Sequence, residues 1–156
     1  AMARKGDTPG VIAPPPLIAL GHLLVGLGLD ALRPLPFLSV PVQWVLGIGF
    51  VAPAVVLALW CVWLFRRADT AVEPWQPSTV LVTSGPYRFS RNPIYLALVV
   101  AYAGLACAID SLWLVALLPV LVLVLDRGVI GREEPYLLGR FGEAYRSYCR
   151  RVRRWI

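Results

Sequence analysis

The chain has 156 residues, of which 58% are hydrophobic and 15% charged, and its mean hydropathy is +0.69. Soluble domains are roughly half apolar and about a quarter charged, so this composition excludes an ordinary soluble fold and points to the membrane. The net charge of +6 would suit nucleic acid, but the basic residues crowd the ends of apolar runs, where anionic headgroups lie, and no nucleic-acid partner is expected.

Residues 1–12, beginning AMARKGDTPG, read as a flexible leader without a cleavable signal pattern. Apolar runs then cover Pro16 to Leu32, Val40 to Phe65, Ile94 to Ile109 and Leu112 to Leu125. A span needs roughly 20 apolar residues. The second run exceeds that and the first is adequate. The third and fourth are short, and only Asp110 and Ser111 separate them. That spacing predicts a tight hairpin of two spans, with one long amphipathic or re-entrant segment as the alternative. The third run extends back to Asn92 or Pro93, and the fourth extends through Asp126 and Arg127 to Ile130. Pro53 and Pro119 interrupt the second and fourth runs and predict kinks that shape a bundle. Trp44, Trp60, Trp63 and Trp113 fall near run ends, as an aromatic belt would.

Four spans place the N-terminus, the loop after Phe65 and the tail on one side. Of the 15 basic residues, only Arg33 falls on the other. The positive-inside rule therefore puts both termini in the cytoplasm. Residues 66–91 form the one long polar connection; EPWQPSTVLVTSGPY, with its prolines and the β-branched patch Thr79 to Thr83, reads as irregular structure. Beyond Ile130, Pro135 predicts the first turn of a new helix. Leu137, Phe141, Tyr145, Tyr148 and Val152 recur at spacings of 4, 4, 3 and 4 along it. The expectation is an amphipathic tail helix that lies on the bilayer or caps the bundle. The whole is expected to be a single all-α polytopic domain over residues 1–156, with residues 84–156 as its ligand-binding half.

Three polar groups gather on the cytoplasmic side. Tyr87, Arg88, Arg91, Asn92, Pro93 and Tyr95 surround a helix start, with Asn92 as expected N-cap and Pro93 in the first turn. A helix N-terminus beside two arginines suits a carboxylate or phosphate, and it equally suits a plain capped helix with snorkelling arginines. Glu133 and Glu134 are adjacent, so on a helix they point about 100° apart and have different jobs. One would accept from a ligand while the other pairs with an arginine; the alternative is a first-turn acidic pair that only favours the helix dipole. The third group is the aromatic stripe with the terminal arginines and Trp155, either a pocket wall or an anchor.

Three cysteines far apart give no disulfide framework. The only histidine, His22, lies in the first run, so no metal site is expected. Neither a Gly-rich dinucleotide loop nor a phosphate loop is present. An anion seat, carboxylates and aromatic walls at one membrane face match S-adenosylmethionine, which carries a carboxylate, an ammonium, ribose hydroxyls and a flat adenine. Methyl transfer needs alignment and exclusion of water rather than a metal.

At these residues the chain resembles the isoprenylcysteine carboxyl methyltransferase and phospholipid methyltransferase group. Arg91, Asn92, Pro93 and Tyr95 match its Arg-His/Asn-Pro-x-Tyr motif. Glu133 and Glu134 match its Glu-Glu pair, and Phe141, Gly142, Tyr145 and Tyr148 its Phe-Gly-x-x-Tyr-x-x-Tyr run. The resemblance covers Ser84 to Ile156. It implies an integral membrane enzyme that takes S-adenosylmethionine, releases S-adenosylhomocysteine, and methylates a lipophilic or small thiol, amine or carboxylate acceptor among membrane lipids; the short size, without the extensions of the eukaryotic members, points to a prokaryotic inner membrane. Arg91, Asn92 and Glu134 would be catalytic. Tyr87, Arg88, Arg91, Asn92, Pro93, Tyr95, Glu133, Glu134, Leu137, Phe141 and Tyr145 would hold the cofactor. Asn92 stands where the eukaryotic prenylcysteine enzymes have histidine, and Ala97 where many relatives have glycine. Two rival readings are an NADPH-dependent membrane reductase of sterol-reductase type and a non-catalytic membrane scaffold.

Overall fold

The computed structural model describes residues 9–71 and 79–156. Residues 1–8, with Arg4 and Lys5, and residues 72–78 of the polar connection lie outside that description. Among the described residues the helices are α1 (Pro15–Leu32), α2 (Val40–Arg67), α3 (Pro93–Ile109), α4 (Leu112–Leu125), α5 (Gly131–Phe141) and α6 (Glu143–Arg151). A 3₁₀ turn covers Gly85–Arg88, and a π turn joins α4 to α5 at Asp126–Ile130. Each of α1, α2 and α3 starts with proline in its first turn, where the missing N–H has no partner to lose. Three helical stretches are long and apolar enough to cross a membrane: α1, α2 and the continuous stretch from Leu112 to Phe141. The shorter apolar α3 lies beside them. This is an all-α polytopic membrane protein, with helix bounds within a residue or two of the apolar runs.

The α3–α4 hairpin turns at Asp110 and Ser111 as two separate helices. Asp110 takes a left-handed backbone (φ 60°), which aspartate tolerates better than most side chains. Its Oδ1 accepts from Phe37 N and Leu38 N at 2.8 Å, and its Oδ2 from Gln43 Nε2 at 3.0 Å. One carboxylate thus ties the α1–α2 loop and the start of α2 to the hairpin. Trp113 Nε1 adds a bond to Arg33 O at 2.8 Å. These contacts gather four helix ends at one pole, so the helices alternate in direction and the polar connection and tail share the other pole.

Packing is most extensive between α2 and α3. A Cβ on Gly104 would stand 2.7 Å from Val51 Cγ2 and 3.0 Å from Gly47 O, so only glycine lets the backbones approach this far. The core continues through Leu114, Leu121, Leu125, Val129 and Ile130, all fully buried, against Ile18, Tyr102 and Ala106. Leu17, Leu24, Val45, Val56 and Leu59 face outward, as spans need when the surrounding solvent is hydrocarbon. Trp44, Trp60 and Trp63 are also exposed, and the Arg67 guanidinium sits 5.2 Å from the Trp63 ring.

The tail departs from expectation in two respects. The helix does not restart at Pro135. It runs on from α4 through the π turn, and α5 begins at Gly131 with Pro135 inside it. Pro135 follows closely on the π turn, where the backbone bonding register is already shifting, so its missing N–H costs less than in mid-helix. Nor is the aromatic stripe one helix. Gly142 adopts φ 54° and ψ −124° and breaks it into α5 and α6, a backbone geometry that favours glycine. The stripe still converges: Tyr145, Tyr148 and Val152 are buried together, with Leu137 and Phe141 packed against them.

Candidate active site

The polar pole is built on the segment before α3. Gly85 takes φ 59° to enter the 3₁₀ turn, where a Cβ would lie 2.7 Å from Leu64 Cδ1. The turn buries Tyr87, whose ring lies 5.5 Å from Phe65 at the end of α2. Tyr148 of α6 donates its hydroxyl to Tyr87 O at 2.7 Å. Tyr148→Phe removes that donor from a buried carbonyl and should cost about 1 kcal/mol. A lower thermal midpoint without change of helix content would show it.

The next residues pair with the segment after α6. Ser90 and Arg153 form a parallel bridge. Arg91 N donates to Arg153 O at 2.9 Å, and Asn92 Nδ2 donates to Arg154 O at 2.9 Å. Asn92 does occupy the N-cap position of α3, but its side chain makes no cap bond. The nearby tail carbonyl takes its amide donor, so the expected capping role is replaced by a tether.

Tyr95, in the first turn of α3, donates its hydroxyl to Glu133 Oε1 at 2.5 Å. Glu134 faces away from that pair and is held by two arginines. Arg91 Nη1 lies 2.9 Å from its Oε1, while Arg154 Nε and Nη2 reach Oε1 and Oε2 at 3.0 and 2.5 Å. The two glutamates therefore have separate partners, as adjacent helical positions require. Burial pushes the Glu133 carboxyl up to about 7; the neighbouring Glu134 charge adds to the rise, and the Tyr95 hydrogen bond opposes it. Glu133 lies in α5, beyond Asp126 and Arg127, where the apolar part of the Leu112–Phe141 stretch has ended at Leu125.

These groups meet in a cavity of about 430 Å³, within the size range of small-molecule sites. Tyr87, Arg91, Asn92, Tyr95, Glu133, Glu134, Leu137 and Tyr145 all line it. Its apolar side runs between α2 and α3 past Ala54, Ala58, Ala97 and Ala101. Three expected ligand residues stand elsewhere. Arg88 is exposed and off the wall, Pro93 is buried beneath the start of α3, and Phe141 packs in the aromatic cluster. The free two-arginine anion seat expected at Arg88 and Arg91 is thus not formed, because Arg91 is engaged by Glu134 and by Cys149 Sγ at 2.9 Å. Arg91 Nε remains buried with no hydrogen-bond partner.

Sequence reasoning missed the wall residues of α2, which carry no motif; Tyr148, named there in the motif and the stripe, was not among the expected ligand residues, yet it lines the cavity. It also missed Asp126 and Arg154. The opposite charges at Asp126 and Arg127 at the end of an apolar run were the available signal. Among the described residues no group of three or more His, Cys, Asp or Glu could hold a metal ion.

A phospholipid methyltransferase family model matches residues 42–144, from the start of α2 to the start of α6. Two bacterial relatives match most of the chain. The nickel-cobalt-cadmium resistance protein NccN of Alcaligenes xylosoxydans xylosoxydans is 33% identical over 106 residues, 68% of this chain and 46% of the relative. The cobalt-zinc-cadmium resistance protein CzcN of Cupriavidus metallidurans is 31% identical over 112 residues, 72% of this chain and 48% of the relative. The chain therefore spans about half the length of these relatives. An uncharacterized protein of Haemophilus influenzae is 46% identical over 37 residues, 24% of this chain and 59% of that protein. No solved structure matches. With the matched region taking in α2, the Arg91–Tyr95 helix start and the Glu133–Glu134 pair, the chain belongs to the phospholipid methyltransferase family.

Proposed function

We propose that the protein is an S-adenosylmethionine-dependent methyltransferase that takes a lipophilic acceptor from the bilayer. The observation that carries this reading is the single cavity in which Glu133, Tyr95 and Arg91 face a small-residue apolar wall between α2 and α3. The residues fit the donor. Arg91 Nε is a buried, unpartnered hydrogen-bond donor suited to a carboxylate. Glu133 suits an ammonium or ribose hydroxyl, Tyr87 and Tyr145 offer ring surface to adenine, and Leu137 adds an apolar contact. When bound, the donor supplies a methyl group for in-line displacement by the acceptor's nucleophile.

The chain's own part is alignment, exclusion of water and handling of one proton. Glu134, saturated by two arginines, fixes Arg91 and is poorly placed to accept a proton. Glu133, with its carboxyl pushed to about 7, is matched to take a proton from an amine or thiol acceptor near neutral pH. A carboxylate acceptor would need no such base. Asn92 holds the segment carrying Arg91 against the tail. The arginine distribution supports a cytoplasmic site and cytoplasmic termini, and the bacterial relatives support a prokaryotic inner membrane.

Calorimetric titration of the detergent-solubilised chain with S-adenosylhomocysteine, with NADPH as control, tests the reading. Stoichiometric binding of S-adenosylhomocysteine alone is expected. Binding of NADPH alone would replace the reading with a reductase, and binding of neither would leave a scaffold.

A further inference from the structure

Arg154 does not line the cavity between α2 and α3, yet more of the site's polar framework converges on it than on any residue the motifs name. Its fork spans two elements. Nε and Nη2 grip both oxygens of Glu134 on α5, at 3.0 and 2.5 Å, while Nη1 reaches Asp126 Oδ2 in the π turn at 3.1 Å. Trp155 Nε1 bonds the same Asp126 at 3.0 Å, and its ring packs on the bundle core. Arg154 O meanwhile accepts from the Asn92 amide at 2.9 Å. Glu134 Oε1 is shared: Arg154 Nε and Arg91 Nη1 both address that one oxygen.

We propose that Arg154 is a positioning residue of the site, acting through Glu134 to set the direction in which Arg91 presents its guanidinium to the cavity. For its ligand this rests on the methyl-donor reading above. A planar guanidinium can hold Glu134 bidentately and still reach Asp126 with its third nitrogen. With that fork in place, the Glu134 carboxylate is locked in plane before Arg91 meets it. Without it, Glu134 answers to Arg91 alone, the pair is held in place only by the Arg91 Nη1 contact with Cys149 Sγ, and Arg91 Nε is less tightly fixed. Lysine at this position keeps the charge and reaches one partner at a time, so it separates charge from geometry.

The test uses the full chain in detergent, titrated with S-adenosylhomocysteine as wild type, Arg154→Lys, Trp155→Phe and Arg150→Lys, with thermal midpoints taken in parallel. Trp155→Phe loosens the tail and spares the fork; Arg150 pairs with the exposed Glu143 and serves as control. Arg154→Lys should bind roughly tenfold more weakly, the scale of loss when a supporting group lets a site residue drift. Its midpoint should fall no further than that of Trp155→Phe, which keeps near wild-type affinity, as does Arg150→Lys. Wild-type affinity in Arg154→Lys, or an equal affinity loss in Trp155→Phe, overturns the proposal. A second arm needs no ligand. The coupling between Arg91→Lys and Glu134→Gln, read from thermal midpoints, should shrink in an Arg154→Lys background; unchanged coupling overturns the proposal. Should the wild type bind no S-adenosylhomocysteine, the donor reading falls, and this arm still decides the role of Arg154.

Discussion

Glu134→Ala should weaken S-adenosylhomocysteine binding by at least about a hundredfold, a loss near 2.7 kcal/mol, and should destabilise the folded chain. Glu134 is the common counter-ion of Arg91 and Arg154, which approach it at 2.9 Å and 2.5 Å. Deleting it leaves two guanidiniums side by side without an anion between them. Breaking a fully buried pair costs about 3–5 kcal/mol. Here Glu134 is 22% exposed and Arg154 37% exposed, so solvent screens part of that cost and about 2 kcal/mol is the expected loss of stability. The affinity loss follows from Arg91, which would turn toward solvent or Asp126 rather than hold its place in the cavity wall. Glu134→Gln keeps the shape and one acceptor, and should fall between the two, with a loss of about tenfold. Calorimetry and thermal melts on the same preparations decide it. Near wild-type affinity in Glu134→Ala would remove both glutamate and Arg91 from the binding machinery.

Affinity for S-adenosylhomocysteine should rise from pH 6 to pH 8 by about tenfold, and Glu133→Gln should flatten the profile. Burial holds the Glu133 carboxyl up to about 7, so it is mostly protonated at pH 6 and mostly ionised at pH 8. The ionised form is the better partner for an ammonium or a hydroxyl, hence the upward slope with pH. The groups around it are Tyr95 on α3, Tyr87 in the 3₁₀ turn, Glu134 beside it, and Arg91 beyond Glu134. The ligand's own amine must be separated from this effect. The Glu133→Gln titration does so, because a slope that persists in that variant belongs to the ligand. Stability moves the other way. Between the carboxyl's ordinary range and about 7, the folded chain holds a proton that the unfolded chain has released, so this group's contribution to stability falls as pH rises through that window and is constant above it. A stability profile that climbs there would contradict the burial of Glu133.

The amino-acid pattern alone determined where the helices lie. Backbone groups in hydrocarbon can be satisfied only within a helix or a closed barrel, so four apolar runs leave little choice, and α2 and α4 begin at the residues where those runs begin. Turn chemistry was equally local: Asp110 and Ser111 close the hairpin because a short polar break between apolar runs permits nothing longer. The motif residues around Arg91 and Glu133 were also legible, since family membership rests on residue type at fixed spacing. The break at Gly142 was not read from the sequence, because the aromatic stripe keeps its regular spacing across it; a positive-φ glycine ends a helix while leaving both halves free to pack their rings together.

What only the tertiary structure decided was partnership. Glu133 and Glu134 are identical in type and adjacent in sequence, and their division of labour comes from which elements face them: α3 brings Tyr95 to one, and the tail brings Arg154 to the other. The same tail withdraws the Asn92 amide from capping and binds it to a carbonyl 62 residues away. It also converts Arg91 from an open anion seat into a braced donor. These are long-range pairings, chosen by where the π turn sends the chain after α4, and hydrophobic spacing carries no record of them.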